Sequence, residues 1–211
     1  LSSNGYFPMP LQQPNQLSVK VEGAKLKITS VLPLTSPALL NYLNQRAIAT
    51  KLVQQYCVQL KYRFEQRDYF GIGFSNLSGG YEIRNPFYKY SSAPKDISVF
   101  KNGGETISVF EGFMDFLAFL SVKDREHQAI DFLVLNGIGF FERARYIMED
   151  YKKISLYLDR DKAGMETTQK ALSISPLYED RSKGYSNFKD VNEWAVHLKE
   201  RPHCKISRRL R

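Results

Sequence analysis

Past Gly103-Gly104 the apolar pattern changes period, and that change constrains the fold more than any other feature of the chain. Short apolar runs at 107–110, 132–135, 154–158 and, more weakly, 177–179 alternate with helical patterns at 113–122, 141–151, 165–172 and from about Val191 onward. Strand–helix alternation of this kind predicts a parallel sheet covered by helices. Ahead of the glycines, aromatic and β-branched runs at 58–64, 69–74 and 81–85 are separated by Asn and Gly and predict a small antiparallel sheet. Ser36 followed by Pro37 predicts a capped helix start with Leu39, Leu40 and Leu43 as its buried stripe, and a second short helix runs from Thr50 to near Tyr56. Leu17, Val19 and Val21, then Leu26 and Ile28, alternate about Glu22-Gly23-Ala24 as a hairpin would, after a linker carrying Pro8, Pro10 and Pro14. The expected class is α/β, a parallel sheet of about four strands with flanking helices plus an N-terminal α+β subdomain. The expected organisation is linker and hairpin over 1–30, the α+β subdomain over 31–103, the parallel-sheet domain over 104–200 and a basic tail over 201–211.

Composition excludes several classes. No apolar run approaches the roughly 20 residues of a membrane-spanning helix. The polar, proline-bearing first 16 residues have neither the basic nor the apolar segment of a signal peptide. Cys57 and Cys204 cannot make a CxxC pair, so no zinc ribbon or disulfide framework is encoded, and a reducing cytoplasm is the expected setting. The net charge of +8 is unevenly spread. Residues 1–100 carry 11 Lys and Arg against 5 Asp and Glu, residues 101–200 carry 14 against 17, and the last 11 carry 5 against none. Chance and a solvated tail account for such a split, and so does an acidic centre flanked by surfaces that hold phosphates.

The acids fall at particular places. Glu111 directly follows the strand pattern Ile-Ser-Val-Phe, and Asp159 and Asp161 follow Ile-Ser-Leu-Tyr-Leu. Ligands of open parallel sheets bind beyond such strand ends. Asp115, one helical turn past Glu111, is the only charge in an apolar helix and needs a compensating partner. Crowded carboxylates are the donor set of hard divalent cations such as Mg²⁺ or Mn²⁺, and a pair of such ions suits in-line phosphoryl transfer. Taken singly, Glu111 could equally cap a helix and Asp159 merely end a strand.

Glu111-Gly112-Phe113-Met114-Asp115 followed by Asp159-Arg160-Asp161-Lys162-Ala163-Gly164 resembles the paired signature of the Toprim domain, shared by bacterial DnaG-type primases, topoisomerases and OLD-type nucleases. Lys189-Asp190-Val191-Asn192-Glu193 is similar to the acidic stretch after the last Toprim strand of primases. Tyr42-Leu43-Asn44-Gln45-Arg46-Ala47-Ile48 is similar to a primase helix, and the segments around Arg84 and Lys95 sit where primases carry basic residues. Compact primases of Bacteroides-type mobile elements look most similar. The resemblance implies a primase core that makes short RNA on single-stranded DNA from nucleoside triphosphates. Glu111, Asp159 and Asp161 would be catalytic and bind Mg²⁺ or Mn²⁺ together with Asp115 and Asp190. Arg84, Lys95 and Arg46 would contact template or nucleotide phosphates. A helicase or another mobile-element replication protein is the further partner implied. A Toprim-type nuclease and a noncatalytic DNA-binding primase remnant are the alternatives.

Competing motifs are weaker. Gly71-Ile72-Gly73 and Gly137-Ile138-Gly139 lack the third glycine of a dinucleotide loop. His127, His197 and His203 have no nucleophile setting. Tyr81, Phe87, Tyr88 and Tyr90, interleaved with Arg84, Lys89 and Lys95, could stack single-stranded bases while those cations meet the phosphates, with Lys89 a further candidate phosphate contact, or could pack in the core, the latter being the reading for Tyr81.

Overall fold

The computed structural model describes residues 26–122 and 129–200. The linker, the first arm of the expected hairpin, His127, His203, Cys204 and the basic tail lie outside the described residues.

The first sheet is antiparallel and winds in chain order: β1 (Leu26–Leu32), β2 (Cys57–Phe64), β3 (Arg67–Ser75), β4 (Tyr81–Arg84) and β5 (Lys89–Ser91). The strand containing Leu26 and Ile28 forms, and its partner among the described residues is β2, with Leu26 opposite Phe64 and Ile28 opposite Tyr62. The β2–β3 pairing is tightened by glycine. A Cβ on Gly73 would lie 2.5 Å from the Leu60 side chain. Two helices, α1 (Pro37–Gln45) and α2 (Thr50–Tyr56), connect β1 to β2. Leu39 and Leu43 of α1 are buried and Leu40 is half-buried, as the stripe predicts. Ser36 stands at the N-cap with Pro37 opening the helix, as expected; its side chain makes no capping bond, and its backbone N–H donates to Gln59 Oε1 at 3.0 Å, so β2 anchors the helix start.

The second sheet has the order β10 (Tyr178–Asp180), β9 (Lys153–Tyr157), β7 (Thr106–Phe110), β8 (Ile130–Val134), β6 (Ser98–Phe100). Four strands are parallel, as the alternation predicts, and β6 closes the edge antiparallel to β8. This sheet therefore begins at Ser98, ahead of Gly103-Gly104. The helices are α3 (Phe113–Val122), α4 (Phe141–Met148), α5 (Lys162–Ile174) and α6 (Val191–Glu200). The strands β5 and β6, three residues each, have no counterpart in the sequence reading, whereas β10, equally short, falls at the weak apolar run expected at 177–179.

The two sheets share one core. Leu39 and Leu43 of α1, Val53 of α2 and Phe74 of β3 join Phe110, Phe113 and Phe116 on one side and Val191 and Ala195 of α6 on the other. α3 lies between them and is buried from Phe113 through Phe119, which explains a helix apolar on every face. No helix among the described residues is long and apolar enough to cross a membrane.

Candidate metal centre

Parallel pairing sets the geometry. β7 and β9 are neighbours, with Phe110 opposite Tyr157, so Glu111 and Asp159 leave the sheet at the same edge. The backbone N–H of Asp159 donates to Glu111 Oε2 at 3.4 Å. Asp115 comes back over this edge from the first turn of α3, and Asp190 arrives immediately ahead of α6. Asp115, Asp159 and Asp190 each offer an oxygen, all within 4.8 Å of one another. Sequence reasoning names Glu111, Asp159 and Asp161 as the catalytic trio; the tightest trio in space is Asp115, Asp159 and Asp190. Glu111 flanks it through the Asp159 backbone, and Asp161 begins α5, its Oδ1 accepting from Gly164 N at 3.1 Å.

Backbone N–H groups of the first turn of α6 hold two of the acids, Asp190 and Asp115. Asp190 Oδ1 accepts from Glu193 N at 2.7 Å, and Glu193 Oε2 accepts from Lys189 N at 2.6 Å, so the start of α6 is capped from both sides. Asp115 Oδ1 accepts from Asn192 N at 3.1 Å. Tyr185 Oη donates to the Leu158 carbonyl at 2.9 Å, and Arg160 N donates to the Lys189 carbonyl at 2.7 Å, fixing the exit of β9. Gly164 explains the glycine of the second motif: a Cβ there would lie 2.1 Å from the Asp159 carbonyl oxygen.

Burial and mutual repulsion disfavour the charged forms. Burial, followed by Asp159, pushes Glu111 up to about 7. Burial, followed by Asp190, pushes Asp159 up to about 6, against the opposing pull of Lys189, whose Nζ lies 3.8 Å from Asp159 Oδ2. Asp115, wholly buried, rises well above the carboxylate range for the same reason, with Asp190 and Asp159 adding repulsion. Oxygen donors this close, buried and repelling, fit a hard divalent cation, which would relieve the repulsion.

The sign of the resulting pH dependence follows. Carboxyls raised in the folded state hold protons that the unfolded chain releases near pH 4, so this stabilisation is present at low pH and lost as pH rises through about 6 to 7. Without divalent ions, the melting temperature should fall across that window, and Glu111→Gln should flatten the fall. Added Mn²⁺ should reverse it, binding more tightly as pH rises because protons compete for the same oxygens. Scanning fluorimetry from pH 5 to 8, in chelator and in Mn²⁺, measures both effects.

The cations are distributed unequally. Lys89 on β5 is exposed, stands opposite Arg84 in the β4–β5 pairing and lies within electrostatic reach of Glu111 and Asp159. Arg84 is half-buried and donates from Nε to Tyr42 Oη at 3.2 Å. Lys95 is exposed and acts on the buried Glu82 rather than on the carboxylate trio. Arg46, at the end of α1, is half-buried and faces Asp115 electrostatically. Phe87 and Tyr88 are exposed and Tyr81 is buried, separating the surface aromatics from the core. His197 packs against the Phe188 ring at 4.8 Å, with no nucleophile among its described contacts.

Sequence reasoning missed Asn192, whose backbone N–H bonds Asp115 while its side chain bonds the Arg46 carbonyl, and Glu82 as a buried acid. Glu82 alternates with apolar neighbours exactly as a solvent-facing strand residue would, so no local signal distinguishes it.

Residues 108–195, which hold most of this parallel sheet and its acidic edge, match the family described as Toprim-like. Residues 28–93 match a family described as a domain of unknown function, DUF8464. The chain is similar to the primase fragment of the bacteriophage T7 primase-helicase protein, at 20% identity and a TM-score of 0.55, covering 74% of this chain and 68% of that one. It is also similar to the primase domains of T7 gp4 subunits solved with lagging-strand DNA polymerase, an RNA/DNA hybrid and dTTP (21% identity, TM-score 0.53, 74% and 83% covered). The zinc-binding and RNA polymerase domains of Aquifex aeolicus primase match at 13% identity and a TM-score of 0.50, over 79% of this chain and 57% of that one. No curated protein sequence matches the chain. At these identities the likeness establishes the fold: a Toprim-like parallel sheet and an N-terminal α+β unit arranged as in primases.

Proposed function

We propose that this chain is a primase-type nucleotidyltransferase core, extending short RNA on single-stranded DNA from nucleoside triphosphates. The observation that carries the reading is the convergence of Asp115, Asp159 and Asp190 within 4.8 Å at the carboxyl edge of the parallel sheet. Those three residues would hold Mg²⁺ or Mn²⁺, with Glu111 and Asp161 completing the acidic rim. The bound ions would supply activation of the primer 3′ hydroxyl and neutralisation of the departing pyrophosphate.

The chain's own groups account for the rest. In the reaction the 3′ oxygen bonds to the α-phosphorus, the bond from that phosphorus to the bridging oxygen breaks, and pyrophosphate leaves. Glu111, with its affinity for protons near neutral pH, is suited to receive the hydroxyl proton. Lys89, exposed and within electrostatic reach of the acids, would meet nucleotide phosphate, and Arg84 and Lys95 would hold template or nucleotide phosphates. No side-chain nucleophile is required, because positioning and charge stabilisation carry phosphoryl transfer.

The test is incubation of the chain with single-stranded DNA, labelled ribonucleotides and Mg²⁺ or Mn²⁺, resolved on a sequencing gel. The expected result is labelled oligomers that require template and metal. Template cleavage without labelled product would replace this reading with that of a Toprim-type nuclease, and salt-sensitive DNA binding with neither product would leave only a binding module.

A further inference from the structure

α6 does more than bring Asp190 to the site. Its second residue, Asn192, is 1% exposed, and it bonds in two directions. Its backbone N–H donates to Asp115 Oδ1 at 3.1 Å, while its Nδ2 donates to the Arg46 carbonyl at 2.8 Å. Near the other end of α6, Lys199 Nζ donates to the carbonyl and side-chain oxygens of Asn44 at 2.6 and 2.7 Å. The last turn of α1 is thus tied at two points to the helix that opens beside the carboxylates. Two polar atoms are left buried and unpartnered in this junction among the described residues: Arg46 Nε and Asn192 Oδ1. An arginine serving template phosphates would turn its N–H groups outward, whereas the Nε of Arg46 is closed off from solvent. Its charge acts on the buried Asp115.

We propose that Arg46 is a positioning residue of the carboxylate centre, its guanidinium balancing Asp115 from the protein side while the Asn192 bridge locks α1 to the start of α6. This replaces the phosphate contact expected from its helix motif, and it rests on the reading of the acids as divalent-ion ligands. Buried groups that hold metal ligands in place typically cost about 10- to 100-fold in metal affinity when removed.

The test titrates the full chain with Mn²⁺ alone, following free Mn²⁺ by electron paramagnetic resonance, for wild type, Arg46→Gln and Arg46→Lys. Binding of labelled oligothymidylate in chelator is measured alongside. In Arg46→Gln, Mn²⁺ affinity should fall by about 10- to 100-fold, Arg46→Lys should recover part of the loss, and oligothymidylate affinity should not change. Unchanged Mn²⁺ affinity with weakened oligothymidylate binding overturns the inference and restores the phosphate contact. Should Arg46→Gln fail to fold, Asn192→Ala decides: it keeps both charges and should weaken Mn²⁺ by about tenfold, and an unchanged affinity refutes the bridge. Wild type that binds no Mn²⁺ overturns the metal reading and this inference together, whereas normal wild-type binding with unaltered variants overturns this inference alone.

Discussion

Asp159→Ala should lower metal-dependent nucleotide incorporation by on the order of 10³-fold, the scale of losing a centrally placed electrostatic group from a phosphoryl-transfer site. Asp159 is the residue all the others meet. It belongs to the close trio with Asp115 and Asp190, its backbone N–H is bonded to Glu111, and its carbonyl packs on the first turn of α5. Asp159→Asn is the informative companion, because it keeps the shape and removes the charge that opposes ionisation of both Glu111 and Asp115. Its activity should be equally low, yet its melting temperature in chelator should rise above that of wild type, as is usual where a site is built against stability. Labelled-nucleotide incorporation and scanning fluorimetry read the two effects separately. Incorporation retained in either variant would remove the mechanism, and a lowered melting temperature in Asp159→Asn would show that the charge is satisfied without a cation.

The largest stability effect should come from Phe116→Ala. Phe116 is fully buried on α3 and its ring meets Tyr56 at 5.1 Å, Phe100 at 5.2 Å, Phe132 at 5.4 Å, Phe110 at 5.7 Å and Phe74 at 6.1 Å. Those partners come from both sheets and from α2, so the truncation opens a cavity where the two units join. The expected loss is about 3–5 kcal/mol in urea unfolding. Phe87→Ala is the control: its side chain is 83% exposed, and its removal should shift stability by no more than about 0.5 kcal/mol. A Phe116→Ala protein that unfolds at the wild-type urea concentration would mean that the units do not depend on this junction.

Much of the architecture is legible along the chain because its determinants are local. Apolar runs of strand length separated by helical periods force a parallel sheet, and acids directly after two such runs are carried to the same edge by parallel pairing. That much follows for Glu111 and Asp159 from position alone. Asp190 and Asp115 are legible as candidates, the first through its similarity to a family motif and the second as a lone charge on an apolar helix. The short strands β5 and β6 are not legible: neither follows a helical stretch in the strand–helix alternation that marks the equally short β10, and β6 pairs with β8, more than 30 residues away. The same holds for Ser36, which is held at the helix start by its backbone N–H donating to Gln59, 23 residues away, and not by a side-chain bond.

Which acids lie closest together is a different kind of question. Asp159 and Asp161 are neighbours in sequence, yet Asp161 turns to the Gly164 N–H at the start of α5, while Asp115 and Asp190 reach Asp159 from helices that begin 46 residues before it and 32 residues after it. Arg46 likewise reads in the sequence as a phosphate contact at the end of a short helix, and only in three dimensions does α6 bond to it through Asn192. What the chain determines unaided is its sequence of strands and helices and the sheet edge on which its acids emerge, because backbone periodicity and parallel pairing are dictated residue by residue. Only the tertiary packing of α3, α6 and α1 decides which carboxylates lie together and which arginine faces them, because charges interact through distance in space and burial, neither of which is written in the order of the residues.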